Sequence, residues 1–87
     1  MAYFVSLHTL YHLDRRAAEN LAERFRAAKG LKVQRALLNL VEGKLLLDWE
    51  APDRETIERW MAAEHYEPAD WLVQMEYEVK DGQLLTV

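Results

Sequence analysis

The sequence predicts a single α+β domain, residues 1–87, in which an antiparallel sheet carries two helices on one face. The chain has only 87 residues, enough for one hydrophobic core and no second domain. Segments with strand and helix periodicity follow one another in the order β, α, β, β, α, β. No linker, internal repeat or low-complexity segment interrupts this order.

The first half contains a strand, a helix and a second strand. Residues 3–10 are rich in aromatic and β-branched residues, which favour strands. Asp14 can cap a helix whose apolar residues recur at the helical period, and Gly30 supplies a left-handed stop. Residues 32–41 then predict a strand that is apolar on both faces.

The second half repeats the pattern after a tight turn. Residues 44–50 predict the third strand, and Asp53 opens a second helix that ends near His65. Residues 71–79 alternate apolar and polar side chains, which is typical of a half-buried fourth strand. After a Gly-containing turn, residues 84–87 can return as a short fifth strand.

This order of elements is the split βαβ pattern of a ferredoxin-like domain. Right-handed crossovers then place the strands in the order 4-1-3-2, with both helices on one face. The opposite face has no helix over it, and exposed apolar strands favour pairing. We therefore predict a homodimer that packs the open sheet faces together or extends the sheet edge to edge.

The alternation also predicts which side chains reach the open face. On the fourth strand the apolar odd positions are assigned to the helices, and on the first strand Val5 and Leu7 are assigned inward. The three tryptophans, Trp49, Trp60 and Trp71, are expected in the core. The predicted open-face patch consists of Ser6, His8, Asp48, Gln74 and Glu76.

The chemistry of this predicted patch has three interpretations. It can be a polar network at a dimer interface, an acid–base or ligand site, or a metal site. Histidine with carboxylates supplies the side chains that each of these uses. The register is inferred from alternation alone, so a shift of one residue would move any member to the other face.

Composition excludes several classes of function. The net charge of −4 argues against nucleic-acid and anionic-membrane partners, and the basic residues around the first helix fit a solvated helix face. There is no cysteine, so disulfides and thiol nucleophiles are excluded. No apolar run approaches the roughly 20 residues of a membrane span, and the expected location is the cytoplasm.

One segment carries a family resemblance. Residues 47–53, Leu-Asp-Trp-Glu-Ala-Pro-Asp, with Glu55 and Ile57 after them, resemble the strand-to-helix junction of the DUF4242 family of small bacterial proteins. Residues 4–10 and 67–70 resemble that family's first strand and its approach to the last strand. The resemblance implies a ferredoxin-like dimer and nickel binding through cysteine and histidine.

The chain departs from this family where the metal would bind. Family members often carry cysteine near the position of Leu47, and their Gly-Pro loop is replaced here by residues 11–13, Tyr-His-Leu. A nickel or zinc site in this chain would have to use His8, His12 and carboxylates such as Glu76.

Two functions from different classes follow. The first is a small dimeric ligand-binding, metal-binding or accessory protein without catalysis. The alternative is a cofactor-independent enzyme of the dimeric α+β-barrel type, such as a small isomerase or monooxygenase, with His8 transferring a proton and Asp48 or Glu76 as its partner. The enzyme needs His8 to line a largely apolar pocket, whereas the first function does not.

Overall fold

Six strands and two helices make up the computed structural model, which describes residues 1–87. In chain order they are β1 (Ala2–Thr9), α1 (Arg15–Ala27), β2 (Lys32–Asn39), β3 (Lys44–Ala51), α2 (Arg54–Ala63), β4 (Trp71–Met75), β5 (Tyr77–Lys80) and β6 (Gln83–Thr86). Neither helix is long and apolar enough to cross a membrane.

The strands form two sheets. Four of them lie in the order β2-β3-β1-β4, and every neighbouring pair is antiparallel. The other two, β5 and β6, form a separate antiparallel hairpin. The predicted α+β class, with two helices and an antiparallel sheet, is confirmed.

Local sequence signals set the element boundaries. The carboxylates of Asp14 and Asp53 each accept a hydrogen bond of 2.8 Å from a backbone N–H three residues later, at Ala17 and Thr56. These bonds satisfy backbone donors that have no partner within the helix. The β2–β3 turn requires Gly43, whose φ is +67° and whose Cβ, if present, would collide with the backbone carbonyl of Leu10, just after β1.

One face of the sheet forms the core with a stripe of each helix. Leu21 of α1 and Ile57 of α2 are buried against it, and burying one such side chain contributes about 1.5–3 kcal/mol. Trp49 is fully buried and meets the rings of Phe25 and Trp60 edge-on, at centroid distances of 6.2 and 5.8 Å. The buried apolar residues are Phe4, Leu21, Leu31, Leu45, Leu47, Trp49, Ala51, Ile57, Met61 and Leu72.

The fourth strand is shorter than the alternation predicts. The prediction of one strand over residues 71–79 is wrong, because β4 ends at Met75 and β5 begins at Tyr77. The ladder between β1 and β4 ends at the pair Tyr3–Met75, and Glu76 separates β4 from β5. The predicted fifth strand, residues 84–87, is observed as β6, which pairs with β5 and leaves the hairpin outside the main sheet.

On β1 buried and less buried residues alternate as predicted, but the residues predicted to face the helices face the open side. Phe4, Ser6 and His8 are buried on the helix-facing side, so the prediction that Val5 and Leu7 face inward is wrong. The physical reason is that Ser6 Oγ and His8 Nε2 are hydrogen-bonded to each other inside the core. That leaves the aromatic ring of Phe4 to pack inward beside them.

The same reversal occurs on β4. Leu72 is buried on the helix-facing side, whereas Trp71 and Val73 lie on the open face and are 41% and 45% exposed. They pair with Leu7 and Val5 of β1, so the open face is itself apolar. The prediction that the apolar odd positions of β4 face the helices is therefore wrong. The prediction that Trp71 lies in the core is wrong for the same reason.

A bulge in β2 changes the faces of that strand. The register shifts between Val33 and Arg35, with Gln34 as the extra residue. As a result Val33 and Ala36 pair with helix-facing residues of β3, while Leu37 pairs with an open-face residue. Strict alternation along β2 would put Val33 and Leu37 on one face, and the bulge separates them.

Candidate functional site

The predicted open-face patch is not assembled. Ser6 and His8 are buried on the helix-facing side, while Asp48 lies on the open face of β3. Gln74 shares the side of Ser6 but is exposed on the edge strand β4, and Glu76 is exposed beyond its end. The one-residue reversal on β1 and β4 separates the five, and only Ser6 and His8 remain together.

Those two side chains belong to a buried polar network. Ser6 Oγ lies 2.6 Å from Nε2 of His8, two residues along the same strand. The indole Nε1–H of Trp49 donates to the same Ser6 oxygen at 2.8 Å. Both Ser6 and Trp49 are fully buried, and His8 is 6% exposed. The network therefore fixes the imidazole ring inside the core.

Donor and acceptor counting assigns the histidine tautomer. Ser6 Oγ already accepts from Trp49, which can only donate, and it has no other acceptor than His8. The Ser6 hydroxyl therefore donates to Nε2 of His8, and the proton of the neutral ring sits on Nδ1. Burial lowers the pKa of His8 and so favours the neutral ring. The negative charge of Asp70 opposes this shift in part.

His8 lines a pocket between the sheet and the two helices. Most of the wall is apolar or aromatic, and the mouth lies between α1, α2 and the α2–β4 loop. Its lining residues include Leu10, Leu21, Phe25, Trp49, Trp60 and Tyr66. Nδ1 of His8 has no hydrogen-bond partner in the protein, so its N–H is available to whatever occupies the pocket.

The pocket is small. Its volume is about 20 Å³, and a water molecule needs roughly 10–15 Å³ of such space. The pocket therefore admits one water or one polar atom of a ligand beside His8. Larger groups must lie outside it, where Phe25, Trp60 and Tyr66 are among the lining residues.

The residues predicted for a metal site do not converge. His8 is buried in the core, His12 is exposed in the β1–α1 loop, and Glu76 is exposed after β4. No group of three or more His, Asp or Glu side chains is arranged to hold a metal ion. Nickel or zinc does not fit the donor set that these three residues offer, since stable sites need several converging ligands.

The open face carries a different polar group. Asp48 is buried and accepts a hydrogen bond of 3.1 Å from Nε of Arg35, whose side chain is 65% exposed. Burial and the neighbouring Asp48 carboxylate raise the pKa of Tyr3, which lies on the same face. The centre of this face is apolar, at Val5, Leu7, Leu46 and Val73, while Lys44 and Glu50 lie toward its ends. The centre therefore has the character of a contact surface with one ion pair beside it.

Sequence reasoning missed the third member of the network and the pocket wall. The Ser-x-His spacing on a strand does place Ser6 and His8 on one face. Trp49 joins them only through the pairing of β1 with β3, in which Ser6 is opposite Leu47. No local signal reports that register, nor that Phe25 and Tyr66 from separate elements meet at the mouth.

Comparison with known proteins identifies the fold alone. No protein-family model matches the chain, and no curated protein sequence matches it. Among solved structures, the chain is similar to the crystal structure of SCO4226 from Streptomyces coelicolor A3(2). The match has a TM-score of 0.74 at 15% identity and covers 85% of this chain and 95% of that one. The two chains share a fold over nearly their full lengths.

Proposed function

We propose that this chain is a small dimeric ligand-binding protein of ferredoxin-like fold, distantly related to the DUF4242 family. The observation that carries the binding function is the Nδ1–H of His8, held by Ser6 and unpartnered in an apolar pocket. No buried side-chain nitrogen or oxygen lacks a hydrogen-bond partner, so solvent reaches Nδ1 through the pocket. A ligand acceptor that displaces this water can form a hydrogen bond worth about 0.5–1.5 kcal/mol net.

The pocket defines the ligand's chemistry. The small pocket has room for one hydrogen-bond acceptor, such as a carbonyl or phenol oxygen, beside His8. The remainder of the ligand is apolar, because it must rest on Phe25, Trp60 and Tyr66 at the mouth. This combination of one fixed polar contact and an aromatic wall is typical of small-molecule sites.

Titration with cyclohexanone tests the binding function, since it presents one carbonyl on an apolar ring. We expect the indole NMR signals of Trp49 and Trp60 to shift with saturation, because both rings line the pocket. His8→Phe keeps a flat ring but removes the donor, and it should weaken binding about 3- to 10-fold. His65→Phe, at an exposed position after α2, is the matched control. Unshifted indole signals, or equal affinity in His8→Phe, would reject the proposal.

The dimer is supported by the amount of surface that the chain leaves exposed. The accessible surface is 6401 Å², whereas a compact monomer of 10.2 kDa is expected to expose about 5,300 Å². The excess is comparable to the roughly 800 Å² that one partner buries in a standard interface. Large apolar side chains are exposed on the open sheet face, at Trp71 and Val73, and on the β5–β6 hairpin, at Tyr77, Val79 and Leu84.

A charge on the open face tests the dimer. Val73→Glu places a carboxylate in the middle of that face, and we expect light scattering to give the monomer mass. Gln74→Glu is the matched control, because the next residue of β4 points to the other side of the sheet. A wild-type monomer at micromolar concentration, or dissociation by both variants alike, would contradict the interface.

A second function, proton transfer by His8, is favoured by its neutral ring in a pocket. Asp48 and Glu76 are not its partners in this geometry. Because Nε2 accepts from Ser6, the free Nδ1–H acts as an acid that polarises a carbonyl oxygen, and the α-deuteron leaves to water. Deuterium loss from α-deuterated cyclohexanone would measure such transfer by NMR. Exchange faster than in buffer, and lost in His8→Phe, supports an enzyme. Exchange at the buffer rate leaves a binding protein only.

A further inference from the structure

We propose that the ligand of this pocket carries an anionic group, which binds Arg24 in a groove adjoining the mouth. The inference rests on the proposed ligand-binding function and specifies the class of ligand. The groove lies between the β1–α1 loop and the first helix and has a volume of about 270 Å³. Leu10, Leu21 and Tyr66 line both the groove and the pocket, so one molecule can occupy both.

Arg24 is the only full charge that lines this groove. Its other polar side chains are those of His12, Asn20, Tyr11 and Tyr66, and no Asp or Glu is among the lining residues. A single cation in a groove that lacks carboxylates attracts an anion. A guanidinium group also offers several N–H donors in one plane, which suits a carboxylate.

The contacts of Arg24 leave most of its donors available. Nη1 donates to the hydroxyl of Tyr66 at 3.2 Å and weakly to the backbone carbonyl of Glu64 at 3.4 Å. The guanidinium also lies 5.4 Å from the centre of the Tyr66 ring. No carboxylate side chain forms an ion pair with it. Tyr66 thus holds the cation at the junction of pocket and groove.

The groove on the other side of the mouth has the opposite electrostatics. It also adjoins the pocket through Tyr66, but its cation, Arg54, is paired with Glu58 at 3.2 Å. The carboxylate of Asp70 lines it as well. An anionic group is therefore directed toward Arg24 and away from Arg54.

A pair of matched probes tests this inference. 3-(4-Hydroxyphenyl)propanoate has a phenol oxygen for His8, an apolar body and a carboxylate for Arg24. Its amide, 3-(4-hydroxyphenyl)propanamide, differs only in the charge. We expect calorimetric titration to show the carboxylate binding about 2- to 5-fold more tightly, as an ion pair with an exposed side chain would give.

Variants locate the effect. Arg24→Gln should abolish the preference for the carboxylate and leave the affinity for the amide unchanged. Arg16→Gln removes an exposed positive charge from the same helix, outside the groove, and should keep the preference. Equal binding of both probes by the wild type, or an equal loss in both variants, overturns the anionic ligand but leaves pocket binding intact. Failure of both probes to bind overturns the anionic ligand and the pocket function together.

Discussion

The two faces of the main sheet are both apolar, yet they are used differently. The helix-facing side is covered by α1 and α2 and encloses the neutral network of Ser6, His8 and Trp49. The open side has no cover and holds a charged pair, Arg35 with Asp48. A neutral network suits a dry interior, whereas an ion pair with one exposed partner suits a surface that meets water or a second chain. Polar chemistry, more than hydrophobicity, distinguishes the faces.

The two faces should differ most in the free energy of unfolding that is lost when a tryptophan is replaced by alanine. Trp49→Ala should lower the free energy of unfolding by about 3–5 kcal/mol, because it empties the centre of the core. Trp71→Ala, on the partly exposed open face, should cost under about 1 kcal/mol in dilute protein. Urea unfolding followed by circular dichroism measures both. Similar losses would show that the open face is as tightly packed as the core.

Substitution in the buried network should lower the free energy of unfolding more than substitution of a polar group on the open face. Ser6→Ala leaves the Trp49 N–H and His8 Nε2 without partners, which should cost about 1–3 kcal/mol of unfolding free energy. Thr9→Val removes an exposed hydroxyl that contacts Asp70 and Lys44, and should cost about 1 kcal/mol or less. The same urea series compares them. A larger loss in Thr9→Val would contradict the network's role.

The burial of His8 on the helix-facing side should make the stability of the fold depend on pH. Burial lowers the pKa of His8 in the folded state, so as pH falls the unfolded chain binds this proton first. Its contribution to stability is therefore complete above about pH 6.5 and is lost as pH falls through the folded-state pKa. Thermal unfolding from neutral to acidic pH should show a weaker decline in His8→Gln. His65→Gln is the control and should decline as the wild type does.

The smallest expected effect is on the open face. Arg35→Gln removes the partner of buried Asp48 and should cost about 1 kcal/mol, with less effect in high salt. Arg54→Gln breaks an exposed helical pair with Glu58 and should cost about 0.3–0.5 kcal/mol. Urea unfolding at low and high salt separates them. An equal loss in both variants would show that the pair of Arg35 with Asp48 is screened by solvent as fully as the exposed pair on α2.

Much of the fold could be predicted because its signals are local. Asp14 and Asp53 begin the helices by capping them, and Gly43 permits the turn between β2 and β3. The site was predicted less well, because its members belong together only through strand pairing. The sequence singles out His8, but Trp49, which donates to the Ser6 oxygen that His8 also contacts, lies 41 positions from His8 in the printed sequence. Alternation also assigns β1 and β4 to the wrong faces.

The sequence by itself determined the order of helices and strands, since capping residues, turns and side-chain periodicity act within a few residues. It also determined that Ser6 and His8 share a face, because a strand repeats every two residues. Only the tertiary structure decided which face that is. A period of two is unchanged when a strand is turned over, and both faces here are apolar, so hydrophobicity cannot choose between them. The choice followed from the pairing of β1 with β3, which places Trp49 where its N–H reaches Ser6 and so allows His8 to be buried.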